Sequence, residues 1–271
     1  MTGIKLPVQH KTLAFALVLV LVGVTSSFVQ VSAQPARPAN NSSTSSRRIP
    51  FRRIKAPDRG VPRGTRQAAR RGEGCPEVDI PLTALVPIAE TLSGEQVPWR
   101  LTSAEYPTFW FYVPYPLTDE HPGELRIKTT DEKGNSIYKT LIQVTGTTPG
   151  VVSVRLPSTE APLKIGESYT YLFVVRCKPN EASENEFVRA SVEREAPSAS
   201  LASQLSTATP RERAILYAQE GFWDEALTTL GELRRANPND AGLTADWGAL
   251  LDATLLNADD LNEIKQEPIV R

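Results

Sequence analysis

Hydrophobic and polar positions divide this chain into regions of different periodicity. From Leu13 to Val24 the residues are almost unbroken Leu, Val, Ala and Phe. That is the length of a signal-peptide core, and Thr25, Ser26 and Ser27 interrupt it before the roughly 20 apolar residues a spanning helix needs. Between residues 34 and 74 large apolar side chains are reduced to Ile49, Phe51, Ile54 and Val61. From Cys75 to about Ala196 apolar residues recur with a period of two, and after Thr209 the period becomes helical.

The period-two region predicts about seven strands. Phe109, Phe111 and Val113 alternate with Trp110 and Tyr112, so both faces of this strand are apolar and it lies deep in a sandwich. Leu125–Thr130 and Ser136–Val144 flank Asp131-Glu132-Lys133-Gly134-Asn135, a hairpin with turn chemistry in its loop. Val151 to Leu156, Tyr169 to Arg176 and Phe187 to Val192 supply further strands, with a weak one at Leu82–Val86. Their spacing predicts an immunoglobulin/fibronectin III-like β-sandwich over residues 75–196. Leu163, Gly166 and Tyr169 form L-x-x-G-x-x-Y immediately before an apolar strand. The pattern resembles a tyrosine corner, in which the phenol hydroxyl bonds backbone a few residues upstream.

Residues 197–209 read as a Ser/Ala/Thr linker. Thr209, Pro210 and Glu212 then form a capping-box start, and Gly221 ends the first helix. Ala226, Leu230 and Leu233 share a face of the second, which Pro238 terminates; Leu243, Trp247, Leu250, Leu251 and Leu255 share a face of a third. Gly221-Phe222-Trp223-Asp224-Glu225-Ala226, followed by Asn237-Pro238-Asn239-Asp240, resembles the second half of a tetratricopeptide repeat. Residues 210–267 are therefore expected as a tetratricopeptide-like helical hairpin or three-helix region. One repeat cannot bury its own apolar face. It packs on the third helix, caps the sandwich, or offers a groove to a partner through Tyr217, Trp223, Leu230 and Trp247.

Charge and export refine this picture. Lys5, His10 and Lys11 precede the apolar run and Val31-Ser32-Ala33 follows it, so residues 1–33 read as a cleavable signal peptide. The mature chain is expected in the periplasm or outside the cell, with no membrane span. Arg47 to Arg71 carries ten Lys or Arg against Asp58 alone, whereas residues 72–271 carry 17 basic and 30 acidic residues. A basic arm, read as a disordered linker over 34–74, thus precedes an acidic body. It suits an anionic envelope polymer, a membrane surface or the acidic body itself; nucleic acid is not a natural target outside the cytoplasm. Cys75 and Cys177, an even pair in an exported chain, are expected to form a disulfide, two buried thiols being the alternative.

Candidate chemistry is sparse. His121 is the only histidine after residue 33, which excludes most Ser-His-Asp and Cys-His arrangements and multi-histidine metal sites. No Gly-rich phosphate loop follows a strand. No catalytic residue, metal or cofactor is expected. The aromatic set Tyr106, Phe109, Trp110, Phe111, Tyr112 and Tyr115 reads first as core; Trp110 and Tyr112 are the candidates if the strand binds a ligand.

Together the segments resemble a known family. Tyr106-Pro107-Thr108-Phe109-Trp110-Phe111-Tyr112-Val113-Pro114-Tyr115, Leu82-Thr83-Ala84-Leu85-Val86-Pro87, the strand Gly166 to Cys177 and the helical run Arg213 to Arg235 occur in the order of the domain of unknown function 928 family. The resemblance spans about residues 60–257. It implies export to a bacterial envelope, chiefly in cyanobacteria, with cysteines at these two positions and no established activity. It also implies an envelope partner such as a membrane receptor with an extracytoplasmic sensory domain. The expected function is a non-enzymatic protein–protein adaptor of the envelope. A polysaccharide-binding accessory module is the alternative, and a carboxylate-based hydrolase comes third.

Overall fold

The computed structural model describes residues 49–58, 75–129, 136–142 (backbone alone), 149–178, 185–254 and 256–270. The expected signal peptide, arm residues 34–48 and 59–74, the 131–135 turn and Leu255 lie outside them.

The alternating region folds into two sheets. The larger contains β1 (Lys55–Ala56), β3 (Ile88–Thr91), β4 (Gln96–Thr102), β10 (Glu186–Arg194), β9 (Ser168–Val175), β6 (Gly123–Thr129) and β7 (Ser136–Ile142), in that spatial order. The smaller contains β11 (Ile269–Val270), β8 (Gly150–Arg155), β5 (Thr108–Val113) and β2 (Thr83–Ala84). Most neighbours are antiparallel, but β4 runs parallel to β10, β1 to β3 and β11 to β8. β4 carries Pro98, just before its pairing with β10 begins at Trp99, so the missing N–H falls outside that ladder. Val97, Trp99 and Leu101 keep a period of two along it, with Pro98 and Arg100 at the alternate positions.

The sheets face each other. Phe109 and Phe111 of β5 meet Tyr171 and Phe173 of β9, with Phe111 stacked on Phe173 at 4.3 Å and Phe109 edge-on to Tyr171 at 4.8 Å. At the approach to β9 the Lys164 N–H donates to the Tyr169 hydroxyl at 2.9 Å, the bond that L-x-x-G-x-x-Y calls for. Gly166 holds φ of 78° there, a conformation glycine adopts without steric penalty. Cys75 and Cys177 are disulfide-bonded across a sequence separation of 102, with Cα atoms 4.9 Å apart.

Helices follow β10: α1 (Ala199–Thr207), α2 (Pro210–Glu220), α3 (Trp223–Ala236), α4 (Ala241–Leu251) and α5 (Ala258–Ile264). The linker expected at 197–209 therefore contains a helix. Ser198 caps α1, and Leu201 and Leu205 pack on Trp99 and Leu101 of β4. Two leucines four apart suffice because the sheet edge supplies the other half of the core. Thr209 and Glu212 form the capping box of α2, and Gly221 closes it in the left-handed region at φ of 86°.

The described part of the arm is also ordered, a second correction. Ile49, Ile54 and Ala56 are buried, and Phe51 lies edge-on to Trp223 at 5.0 Å. The Arg52 N–H donates to the Ala218 carbonyl at 2.9 Å, and the Ser93 N–H donates to Asp58. A low overall density of apolar residues predicts disorder for an isolated segment. Here a few such residues enter a groove already formed by α2, α3 and β3.

Candidate functional site

The candidate interaction residues define the molecule's layering. Trp110 and Tyr112 leave the opposite face of β5 from Phe109 and Phe111, and they join Trp223, Leu227, Leu230, Trp247 and Leu250 in one buried cluster. The Trp110 ring lies edge-on to Trp247 at 5.7 Å, and its Nε1–H donates to Thr228 Oγ1 at 3.1 Å. The Trp223 Nε1–H donates to the Leu85 carbonyl at 3.0 Å. Gly231 lets α3 approach closely, since a Cβ there would run into the Trp110 ring. β5 is thus the middle of three layers, not the interior of two.

Five of the six candidates, Trp110, Tyr112, Trp223, Leu230 and Trp247, are therefore core; Tyr217 alone is partly exposed. The strand aromatics are core, as first read, and Trp223, Leu230 and Trp247 of the helical hairpin are buried rather than offered to a partner. Each large aromatic buries about 150–250 Å², an upper bound of ~4–6 kcal/mol. The helices use that energy to cover the small sheet.

Where α3 enters this roof, the chain buries an ion pair. Arg100 Nε lies 2.9 Å from Asp224 Oδ1, with side chains 0% and 2% exposed. The guanidinium sits 4.7 Å from the Phe109 ring centroid and 4.6 Å from that of Tyr171. Asp224 occupies the first turn of α3, where the helix dipole favours a negative charge. Burial nevertheless pushes its carboxyl up to about 8, against the pull of Arg100. Burial likewise pushes the Tyr171 hydroxyl up to about 12.

Asp224 and its neighbour Glu225 form the inner wall of a cleft of about 460 Å³ at the seam between the sheets and the α2–α3 hairpin. Glu225 Oε1 accepts from Thr102 Oγ1, Ser103 N, Ser103 Oγ and Ala104 N at 2.7–2.9 Å. That single oxygen fixes the loop leaving β4, while Oε2 is buried and receives no hydrogen bond among the described residues. Tyr106, Tyr217, Arg155, Arg213, Thr228 and Glu232 also line it. Arg194 braces the same loop by donating to the Ser103 and Leu163 carbonyls at 3.2 and 2.6 Å.

Sequence reasoning missed this cleft because its walls come from four separated segments. Tyr106 and Tyr217 were visible as aromatics, but nothing local links them. Arg100 lies in β4, which is not among the strands expected from the sequence.

Among the described residues, one sheet face carries no covering layer. On the outer side of β10, β9 and β6, Arg189 is exposed, and Phe187, Leu172, Thr170, Arg126 and Lys128 are partly exposed. Buried Glu124 lies among them, paired with Arg126 at 2.6 Å and Arg176 at 2.8 Å. Among the described residues, no His/Cys/Asp/Glu cluster could hold a metal and no helix is long and apolar enough to cross a membrane.

The model of the family described as Domain of Unknown Function (DUF928) matches residues 66–269. The docked arm segment, residues 49–58, precedes the matched region. No curated protein matches the chain.

Proposed function

For a chain that belongs to the domain of unknown function 928 family, we propose a non-enzymatic, exported adaptor that binds another envelope protein. The observation that carries this reading is the unequal covering of the two outer sheet faces by the described residues. α2, α3 and α4 roof the small sheet, and α1 with the arm covers the β1–β3–β4 part of the large one. The β9–β6 region keeps apolar Leu172 and Phe187 beside Arg126, Lys128, Arg176 and Arg189. Glu124 offsets part of the charge of Arg126 and Arg176, and with Lys128 and Arg189 the four cations outnumber it; in a body that is acidic overall, this suits a partner with an acidic face.

Finer assignments support the same reading. β2, β5 and β8 oppose β4, β10, β9, β6 and β7, and the Tyr169 bond lies at the entrance to β9; both suit an immunoglobulin-like sandwich. Small, buried Ala214, Ala218 and Ala226 suit a tetratricopeptide-like hairpin used as a cap rather than as a groove. The disulfide suits a signal-peptide-directed oxidising compartment. Glu225 and Asp224 are held by structural contacts, which favours binding over hydrolysis.

The test is site-directed photocrosslinking in cells. A crosslinker at Thr170, on the open face, is expected to capture one envelope protein, and one at Ala245, on the outside of α4, is not. Capture from Thr170 should disappear in Lys128→Glu/Arg189→Glu. Equal capture from both sites, or capture unaffected by charge reversal, sinks the proposal.

A further inference from the structure

The arm segment 49–58 is held as a bound peptide is held. Its Arg52 N–H donates to the Ala218 carbonyl at 2.9 Å, and β1 adds in parallel to the edge of β3, pairing Lys55 with Glu90 and Ala56 with Thr91. Around these main-chain contacts the side chains divide between two cores. Ile49 and Phe51 join the roof cluster beside Trp223, while Ile54 and Ala56 join Trp99, Leu101 and Phe222. The segment thus straddles the α2–α3 turn. Backbone pairing with a sheet edge, plus pockets for particular side chains, is how strand addition recognises a peptide.

The groove is shaped for this occupant. A Cβ at Gly221 would lie 2.6 Å from Ile54 Cγ2, so the glycine that closes α2 also makes room for the isoleucine. The walls, β3, β4 and the α2–α3 hairpin, all lie within the matched residues 66–269, whereas the occupant lies outside them. β1 is two residues long and ends the order of the larger sheet, so its departure leaves the other strand pairings intact. At the far side of the segment, Asp58 accepts from the Ser93 N–H at the β3–β4 turn, and Cys75 is bonded to Cys177. The sixteen residues between Asp58 and Cys75 span at most about 55 Å, enough to set the segment on a neighbouring molecule. Two molecules that trade arms keep the contacts each makes alone, which is why exchange of an identical element is a low-cost route to association.

We propose that residues 49–58 of one copy dock in this groove of a second copy, so that the chain self-associates by arm exchange. The occupant is the segment seated there, whose Arg52 also pairs with Glu220 at 3.5 Å. The inference uses neither the β9–β6 face nor its partner. The tether holds the resident arm at an effective concentration of about millimolar, so exchange grows with protein concentration.

The experiment mixes two exported full-length chains, one carrying Lys55→Cys and the other Glu90→Cys, at about 0.5 mM, near that effective concentration. Both positions are exposed, so neither substitution threatens the fold. A mild thiol oxidant traps contacts, and non-reducing electrophoresis with mass spectrometry of the linked peptides reads the dimer. Paired positions on neighbouring strands lie within disulfide reach, so at least about five times more dimer is expected than with Ala245→Cys in place of Glu90→Cys. Phe51→Ala separates docking from collision, because its sign depends on the chain that carries it. In the Lys55→Cys chain it weakens the incoming arm and should lower the dimer at least about threefold; in the Glu90→Cys chain it weakens the resident arm and should raise it about as much. A single chain carrying both Lys55→Cys and Glu90→Cys should close its own bridge and stay monomeric. The proposal is overturned if Lys55→Cys links to Ala245→Cys as readily as to Glu90→Cys, or if no dimer forms while the doubly substituted chain bridges. It is equally overturned if Phe51→Ala shifts the yield the same way from either chain. A doubly substituted chain that fails to bridge overturns the register on which the exchange rests.

Discussion

The two outer sheet faces of this molecule have opposite fates, and the sequence writes them differently. On the small sheet, β5 is apolar on both sides: Phe109 and Phe111 enter the inter-sheet core, while Trp110 and Tyr112 lie under the helices. On the large sheet, β9 and β10 alternate. Val188, Ala190 and Val192 point inward, and Arg189 faces out. A doubly apolar strand reports a layer on each side; an alternating one reports a face left for water or a partner. The difference separates residues that hold the fold from residues free to recognise something.

The contrast can be broken most severely on the roofed side. Trp247→Ala removes a fully buried ring and is expected to cost about 3–5 kcal/mol, whereas Phe187→Ala on the open face should cost less than about 1.5 kcal/mol. Urea denaturation of the two variants reads the difference directly. Equal losses would mean that the β9–β6 face is as covered as the roof, and the docking surface would have to be sought elsewhere.

The buried ion pair that ties roof to sandwich sharpens the comparison. Asp224→Ala removes the polar partner of a guanidinium that cannot release its proton and is expected to cost about 3–5 kcal/mol. Arg100→Met leaves a carboxyl that can remain protonated, so it should cost less at pH 5. Asp224 also sets a pH dependence. Its carboxyl rises from about 3.9 unfolded to about 8 folded, so between these values the folded chain holds a proton that the unfolded chain has released. Stability from this group is therefore full at acid pH and declines as pH rises from about 4 to 8. Asp224→Asn lacks that slope, so its penalty should shrink toward pH 8; a penalty constant across denaturation series at pH 5, 6.5 and 8 contradicts the assignment.

The smallest expected effect concerns two helical glycines. Gly231→Ala places a methyl against the Trp110 ring and is expected to cost about 1–3 kcal/mol despite better helix propensity. Gly248→Ala meets only the flexible Lys265 stem at 3.4 Å and should be neutral or stabilising by up to about 1 kcal/mol. Thermal melting distinguishes them, and a neutral Gly231→Ala would show that the roof is not closely seated on the sheet.

Much of the architecture was legible where one local rule dominated. Thr209, Pro210, Glu212 and Gly221 marked α2 because capping depends on residues within one turn. Leu163, Gly166 and Tyr169 marked the corner before β9 for the same reason. β4 was overlooked because Pro98, Arg100 and Thr102 occupy one of its two buried faces, although Val97, Trp99 and Leu101 alternate on the other. α1 and the arm were read as linkers because each contributes only part of a shared core.

The sequence by itself determined the strand and helix periods, the cysteine pair available for a disulfide, and the contrast between a basic arm and an acidic body. Tertiary structure decided which aromatics became core, where Arg100 found its counter-charge, and that Glu225 would stand with Tyr106 and Tyr217 in one cleft. Periodicity and capping act over a few residues and leave a local record. Burial and site assembly depend on segments tens of residues apart meeting in space, and no single segment records that meeting.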